Sequence, residues 1–193
     1  IYENFKIIDA STLYTYRQVI ELATAIRKAW EYKGFLIDPY NSLIKDPAMA
    51  KQIGGHEYDY QATTELRIFC KKHNVSVWLN THANTAALHY KRPIGHEYVG
   101  HSIPPMAADV EGGGKFVNRA DDFICLHRYI QHPSEWMYTH LHVRKVKEIE
   151  TGGRPTPIDE PIKFRAMPGN VGFEVEGEAL LQVPHREQSN LPF

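Results

Sequence analysis

Two dense apolar runs, Phe35-Leu36-Ile37 and Val75 to Asn80 (VSVWLN), with a helical pattern between them, constrain the fold more than any other feature. Each reads as a strand covered on both faces, the habit of parallel sheets. Between them Ala62, Leu66, Phe69 and Cys70 recur on one side of a helix predicted over residues 60–72, and His73-Asn74 ends it. Strand, loop, helix and strand in that order predict parallel neighbours joined by a right-handed crossover.

The flanking sequence extends this pattern. Phe5 to Ile8 is a short apolar run, and Ser11-Thr12 offers a cap for a helix carrying Val19, Ile20, Ala23, Ile26 and Trp30 at helical spacing. Residues 45–58 are polar and contain glycine, which predicts a loop. Residues 81–114 are rich in Gly, Pro and His with little periodicity, and so long an irregular stretch inside a compact domain is usually functional. Phe123 to Leu126 (FICL) reads as a third dense strand. Residues 137–146 and 162–165 alternate, which predicts an antiparallel meander at the C-terminal end. The expected fold is α/β, a mainly parallel sheet with flanking helices and a C-terminal antiparallel extension. Residues 1–175 are expected to form one domain, and 176–193 a polar, loosely held tail.

A net charge of −1 gives no global attraction to nucleic acid, so any DNA contact must use a local basic surface or one assembled between subunits. No run approaches the roughly 20 apolar residues of a membrane helix, and no secretory signal is visible at the first residues. Cys70 and Cys125 are single, widely spaced and set in apolar runs, which predicts buried thiols in a reducing cytoplasm. The sequence opens without Met and directly into an apolar run, as expected of part of a longer chain.

Four constellations could carry chemistry. Asp38 ends a predicted buried strand, where open α/β sheets bind ligands, and could hold magnesium through water; taken alone, it reads first as a turn cap with Pro39 and Asn41. Asn80 and His82 end the next strand at the same edge, where a side chain can bond a terminal phosphate; taken alone, His82, one of eleven histidines, reads first as a structural histidine. Residues 109–128 (DVEGGGKFVNRADDFICLHR) combine three glycines with Lys115 and Arg119, but without the G-x-x-x-x-G-K-[ST] spacing, which occurs nowhere in the chain. On the alternating strand Lys145 and Lys147 share a face, able either to reach a neighbouring subunit's nucleotide or to protect a strand edge.

Taken in order, FLIDPYNSL, LRIFCKKHNV, VWLNTH, DVEGGGKFVNRADDFICLHR and VRKVKE resemble the motor domain of DnaB/Twinkle-like replicative helicases, the hexameric RecA-type ATPases, most closely those of phage and mobile-element primase-helicases. The resemblance runs over about residues 5–174. It implies a RecA-like P-loop NTPase core whose N-terminal Walker A unit is missing from this sequence. ATP and Mg2+ are the implied ligands, and single-stranded DNA and further copies in a hexameric ring the implied partners. By resemblance Asp38 is the Walker B carboxylate, which holds Mg2+ through water. Asn41, Asn80 and His82 join it around the nucleotide, with His82 the phosphate sensor. Lys145 and Lys147 are the finger acting in trans, at a place where relatives usually carry Arg. The irregular segment from Asn84, including Lys91 and Arg92, implies the DNA-gripping loop, with Lys115 and Arg119 just beyond it. The implied activity is ATP-driven helicase movement, with this portion inactive by itself.

Two other readings compete. One is a RecA-like DNA-binding or assembly module without ATPase activity. The other is a metal-dependent hydrolase built on His82, His96 and His101, or on His140 and His142, for which spacing offers no clear third ligand.

Overall fold

A computed structural model describes residues 4–9, 11–111, 113–170 and 172–180. They fall into two compact units, the first within Ile1–Leu88 and Pro105–Asp121, the second within His89–Pro104 and Asp122–Phe193.

The first unit is helical around a small parallel pair. Helix α1 (Tyr16–Ala29) starts at Thr15, whose hydroxyl accepts from the Gln18 amide while the Gln18 side chain accepts from the Thr15 amide. That reciprocal box, rather than Ser11-Thr12, sets the helix start, because Gln18 lies three residues beyond the cap. Phe5 to Ile8 forms no strand, and Phe5 and Ile7 are exposed. Strands β1 (Gly34–Ile37) and β2 (Ser76–Leu79) pair in parallel, with Leu36 opposite Trp78 and Ile37 opposite Leu79.

Between these strands runs helix α2 (Pro47–His73), which begins far earlier than the periodicity predicts. Asp46 caps it by accepting from the Met49 amide at 2.8 Å, and Pro47 sits at the first position, where its missing N–H costs nothing. Gly54, at φ 80°, puts a kink in the helix. The expected loop over 45–58 is therefore largely helix. The capping signal at 46–49 outweighs the low apolar periodicity that follows it. The core joins Ala23, Tyr32, Phe69 and Val75, with Phe35 and Val77 packed against it from one side of the strand pair. On the other side Leu36 and Trp78 remain more than half exposed. The strands are thus covered on one face here, not on both.

The second unit is an antiparallel meander: β3 (Asp122–His127), β4 (Tyr138–Val146), β5 (Ile162–Ala166), β6 (Phe173–Val175) and β7 (Glu178–Ala179), adjacent in chain order. This corrects the expected RecA-like, mainly parallel sheet. The fold is mixed α/β, and among the described residues its dominant sheet has five antiparallel strands against a single parallel pair. The reason lies in the connections. Residues 128–137 contain no helix, so the chain leaving β3 turns back beside it, whereas a parallel neighbour needs a crossover of roughly a dozen residues or more. The dense run FICL misleads because Leu126 is exposed despite its apolar neighbours. Of the polar tail expected from residue 176, β7 belongs to the meander, and residues 181–193 lie outside the described residues.

Histidines are buried in this second unit. His140 and His142 on β4 are both fully buried, opposite His127 and Cys125 of β3. Tyr98 stacks on Tyr129 at 4.1 Å and meets the His140 ring edge-on, while His140 Nε2 lies 2.9 Å from Glu135. Lys163 donates to both Glu135 and the Tyr98 hydroxyl. Among the described residues, both ring nitrogens of His142 and Nε2 of His127 have no protein hydrogen-bond partner. Burial, reinforced by nearby Arg144, His140 and Arg92, pushes the imidazoles of His127 and His142 down to about 4. Both are therefore neutral in the fold but protonate near 6.5 once unfolded. The unfolded chain binds more protons between those values, so this stability is complete above about pH 6.5 and falls as the pH drops toward 4. Each histidine contributes a slope of up to about 1.4 kcal/mol per pH unit in that window. Urea midpoints across pH 7 to 4.5 should fall for the natural sequence and fall less steeply in His142→Phe, where His127 still titrates; equal slopes in both would discard this account.

Candidate functional site

The C-terminal ends of β1 and β2 bring Asp38, Asn41, Asn80 and His82 together. The Asn80 amide donates to Asp38 Oδ1 in a short hydrogen bond, and the Asn80 main chain is fixed on both sides, donating to Ile37 O and accepting from Tyr40 N. The Asp38–Pro39 peptide is cis. Asn41 Oδ1 accepts from Thr81 Oγ1 at 2.7 Å and from the His82 amide at 3.4 Å. Asp38, Asn41, Asn80 and His82 are all exposed, as a ligand-facing edge requires. Because strands placed in parallel end at the same edge, a four-residue register suffices to collect side chains 42 positions apart.

Asp38 has one oxygen engaged by Asn80, and its second oxygen has the chemistry for a water-mediated magnesium contact. Magnesium keeps several waters and usually takes only one or two carboxylates when phosphates supply its other ligands, so a single aspartate fits. Among the described residues no three His, Cys, Asp or Glu side chains converge to hold a metal ion by themselves.

Behind this edge lies an ionic knot. Asp59 on α2 is buried, and its Oδ2 accepts from Lys45 at 2.8 Å and from Lys115 at 2.9 Å, while Oδ1 accepts from Tyr40 OH at 3.0 Å. Burial pushes the Asp59 carboxyl up, but the bonds from Lys45, Lys115 and Tyr40 outweigh it and hold the group below its ordinary value. Burial, with Asp59 beside it, raises the Tyr40 phenol. A cavity of about 220 Å³ borders Tyr40, Asn41, Lys45, Tyr58, Asp59 and Glu111.

The other sequence candidates lie elsewhere. Lys115 and Arg119 are on α3 (Gly114–Arg119), which follows Gly113 at φ 81°. Lys115 is buried against Asp59, and the Arg119 guanidinium lies over the Tyr60 ring and bonds its hydroxyl. The Asn84 side chain accepts from the Ala87 amide, capping a short 3-10 turn. Lys91 donates to Ser102, and Arg92 is mostly buried and paired with Asp159 at 2.6 Å. Lys145 lies on β4, opposite Phe123, and Lys147 is exposed just past its end. Lys91, Arg92, Lys145 and Lys147 belong to the second unit, and Asp38 and His82 to the first. Asp59, Tyr40 and Glu111 are the site's neighbours that sequence reasoning passes over. Asp59 carried one signal, since it stands beside Tyr58 and one helical turn before Thr63, on the face that α2 buries.

No protein-family model matches the chain. A chloroplastic/mitochondrial Twinkle homolog protein from Arabidopsis thaliana is 29% identical over 110 residues, 57% of this chain and 14% of that protein. A solved ATPase domain aligns with a TM-score of 0.60 at 14% identity, over 83% of this chain and 51% of that one. A DnaB-like replicative helicase, solved to describe its interactions with primase, aligns with a TM-score of 0.65 at 13% identity, over 87% of this chain and 36% of that one. The two structural likenesses speak for the fold alone. The chain spans about one seventh of the plant relative's length and about half or less of the two solved chains. In sequence the likeness is to the Twinkle homolog alone among these three, over part of the chain and at low identity. Among the described residues no helix is long and apolar enough to cross a membrane.

Proposed function

We propose that residues 1–175 are part of an ATP-driven DNA helicase motor that works as a ring of identical subunits on single-stranded DNA. The observation that carries this reading is the Asp38–Asn80 pair at the shared end of two parallel strands, with Asn41 and His82 beside it. Asn80 engages one carboxylate oxygen of Asp38. Asp38 would hold magnesium through water, and the ion would supply positive charge to the phosphates of ATP. His82 would bond the terminal phosphate and register its loss, and Lys145 and Lys147 would act on the nucleotide of the next subunit.

DNA contact is proposed for the stretch that begins at Asn84 and includes Lys91. Lys91, Arg92, Lys115 and Arg119 each already bond within the chain, to Ser102, Asp159, Asp59 and Tyr60. These 193 residues contain no G-x-x-x-x-G-K-[ST], so hydrolysis requires a phosphate loop that they do not supply.

The test is ATP turnover by the full-length polypeptide with and without single-stranded DNA. Asp38→Ala is expected to lower stimulated turnover by about 100-fold, the scale of losing several kcal/mol of metal-assisted charge stabilisation. His82→Ala is expected to reduce it strongly while DNA binding persists. Unchanged turnover in both variants discards the reading. DNA binding with no hydrolysis in the natural sequence would identify a non-hydrolysing assembly module instead.

A further inference from the structure

The Asn41 side chain is shared by three chain segments. Its Oδ1 takes Thr81 and His82, and its Nδ2 donates to Glu111 Oε2 at 2.6 Å. Residues 109–111 are also laced to 82–84 by main-chain bonds: Glu111 N to His82 O at 2.9 Å, Asn84 N to Asp109 O at 2.7 Å, and an antiparallel bridge between Ala83 and Val110. The Glu111 carboxylate thus provides a side-chain tie from this small ladder to the loop after β1. Beyond it the chain passes Gly113 into α3, which is anchored on α2 through Lys115–Asp59 and Arg119–Tyr60.

A primary amide is a rigid plane. Any turn of Asn41 that follows His82 must therefore move its bond to Glu111 as well. We infer that Glu111 is a positioning residue which, through Asn41, ties residues 109–111 to the ends of β1 and β2 and so couples the nucleotide edge to the segment leading into α3. This inference rests on the ATPase reading above and deepens it: Glu111 touches neither phosphate nor DNA, and it sets how strongly one site answers the other.

Glu111→Gln keeps an oxygen acceptor for Asn41, and Glu111→Ala removes it. In the full-length polypeptide, turnover without DNA should stay within about twofold of the natural sequence in both variants, while the ratio of DNA-stimulated to basal turnover should fall on the order of fivefold or more in Glu111→Ala only. Hydrogen exchange at the Asn84 and Glu111 amides should quicken in Glu111→Ala and remain natural in Glu111→Gln. A natural ratio in Glu111→Ala, or an equal loss in Glu111→Gln, overturns the inference and leaves the helicase reading standing. A natural sequence without DNA-stimulated turnover overturns both.

Discussion

Asp59→Ala should destabilise the first unit by roughly 3–5 kcal/mol, the usual cost of stranding a buried charge. Lys115 has 6% of its side chain exposed and Asp59 8%, so neither can turn to water without moving α3 or α2. Lys45 is more exposed and can find solvent, which makes Lys115 the group left unpaired. The companion variant Asp59→Ala/Lys115→Met removes both charges together, and it should recover most of the loss, because replacing a buried pair by apolar side chains is often neutral. Urea unfolding of the two variants beside the natural sequence provides the measurement. A loss below about 1 kcal/mol in the single variant would mean that the knot behaves like a surface pair. The acid limb should change too. The Asp59 carboxyl sits below its ordinary value, so its contribution is present above about pH 4 and is lost as acid protonates it in the fold.

Lys147→Ala should lower ATP turnover by the full-length polypeptide by at least about 10³-fold, the lower end of what a finger acting in trans supplies, while nucleotide affinity stays within a few fold. The low end is chosen because an ammonium offers a point charge without the planar fork of a guanidinium. Lys147→Arg should then keep activity or raise it. Since the residue is proposed to act on a neighbour's nucleotide, mixing Lys147→Ala subunits with Asp38→Ala subunits should restore partial turnover that neither has alone. Interfaces that combine Asp38 from one parent with Lys147 from the other are whole. Full activity in Lys147→Ala, or no rescue on mixing, would remove the trans role.

Much of this architecture is written locally. The face of α1 that buries Val19 and Ala23 follows from spacing alone, and so does the crossover that puts β1 and β2 in parallel, because both depend on residues close in sequence. The gathering of Asp38 and Asn80 at one edge follows from that parallel register. The start of α2 is also written locally, in the Asp46-Pro47 cap, which outweighs the polar composition of residues 45–58. The place of β3 in the larger sheet is not, although the alternation of residues 137–146 and 162–165 marks β4 and β5 as antiparallel neighbours. FICL has the density of a covered strand, and only the helix-free return through residues 128–137 makes β3 antiparallel to β4.

The same division runs through the site. Sequence by itself determined which side chains end the two parallel strands, since a strand's last residues are fixed by its pattern and its stop. Only the tertiary structure decided what the cations near the site do. Lys115 and Arg119 follow a glycine run that suits a free, anion-seeking loop, yet α3 folds onto α2, and Asp59 and Tyr60 capture them. Their partners stand more than 50 positions away, a separation that neither periodicity nor composition encodes. Glu111 meets Asn41 across a similar gap, for the same reason.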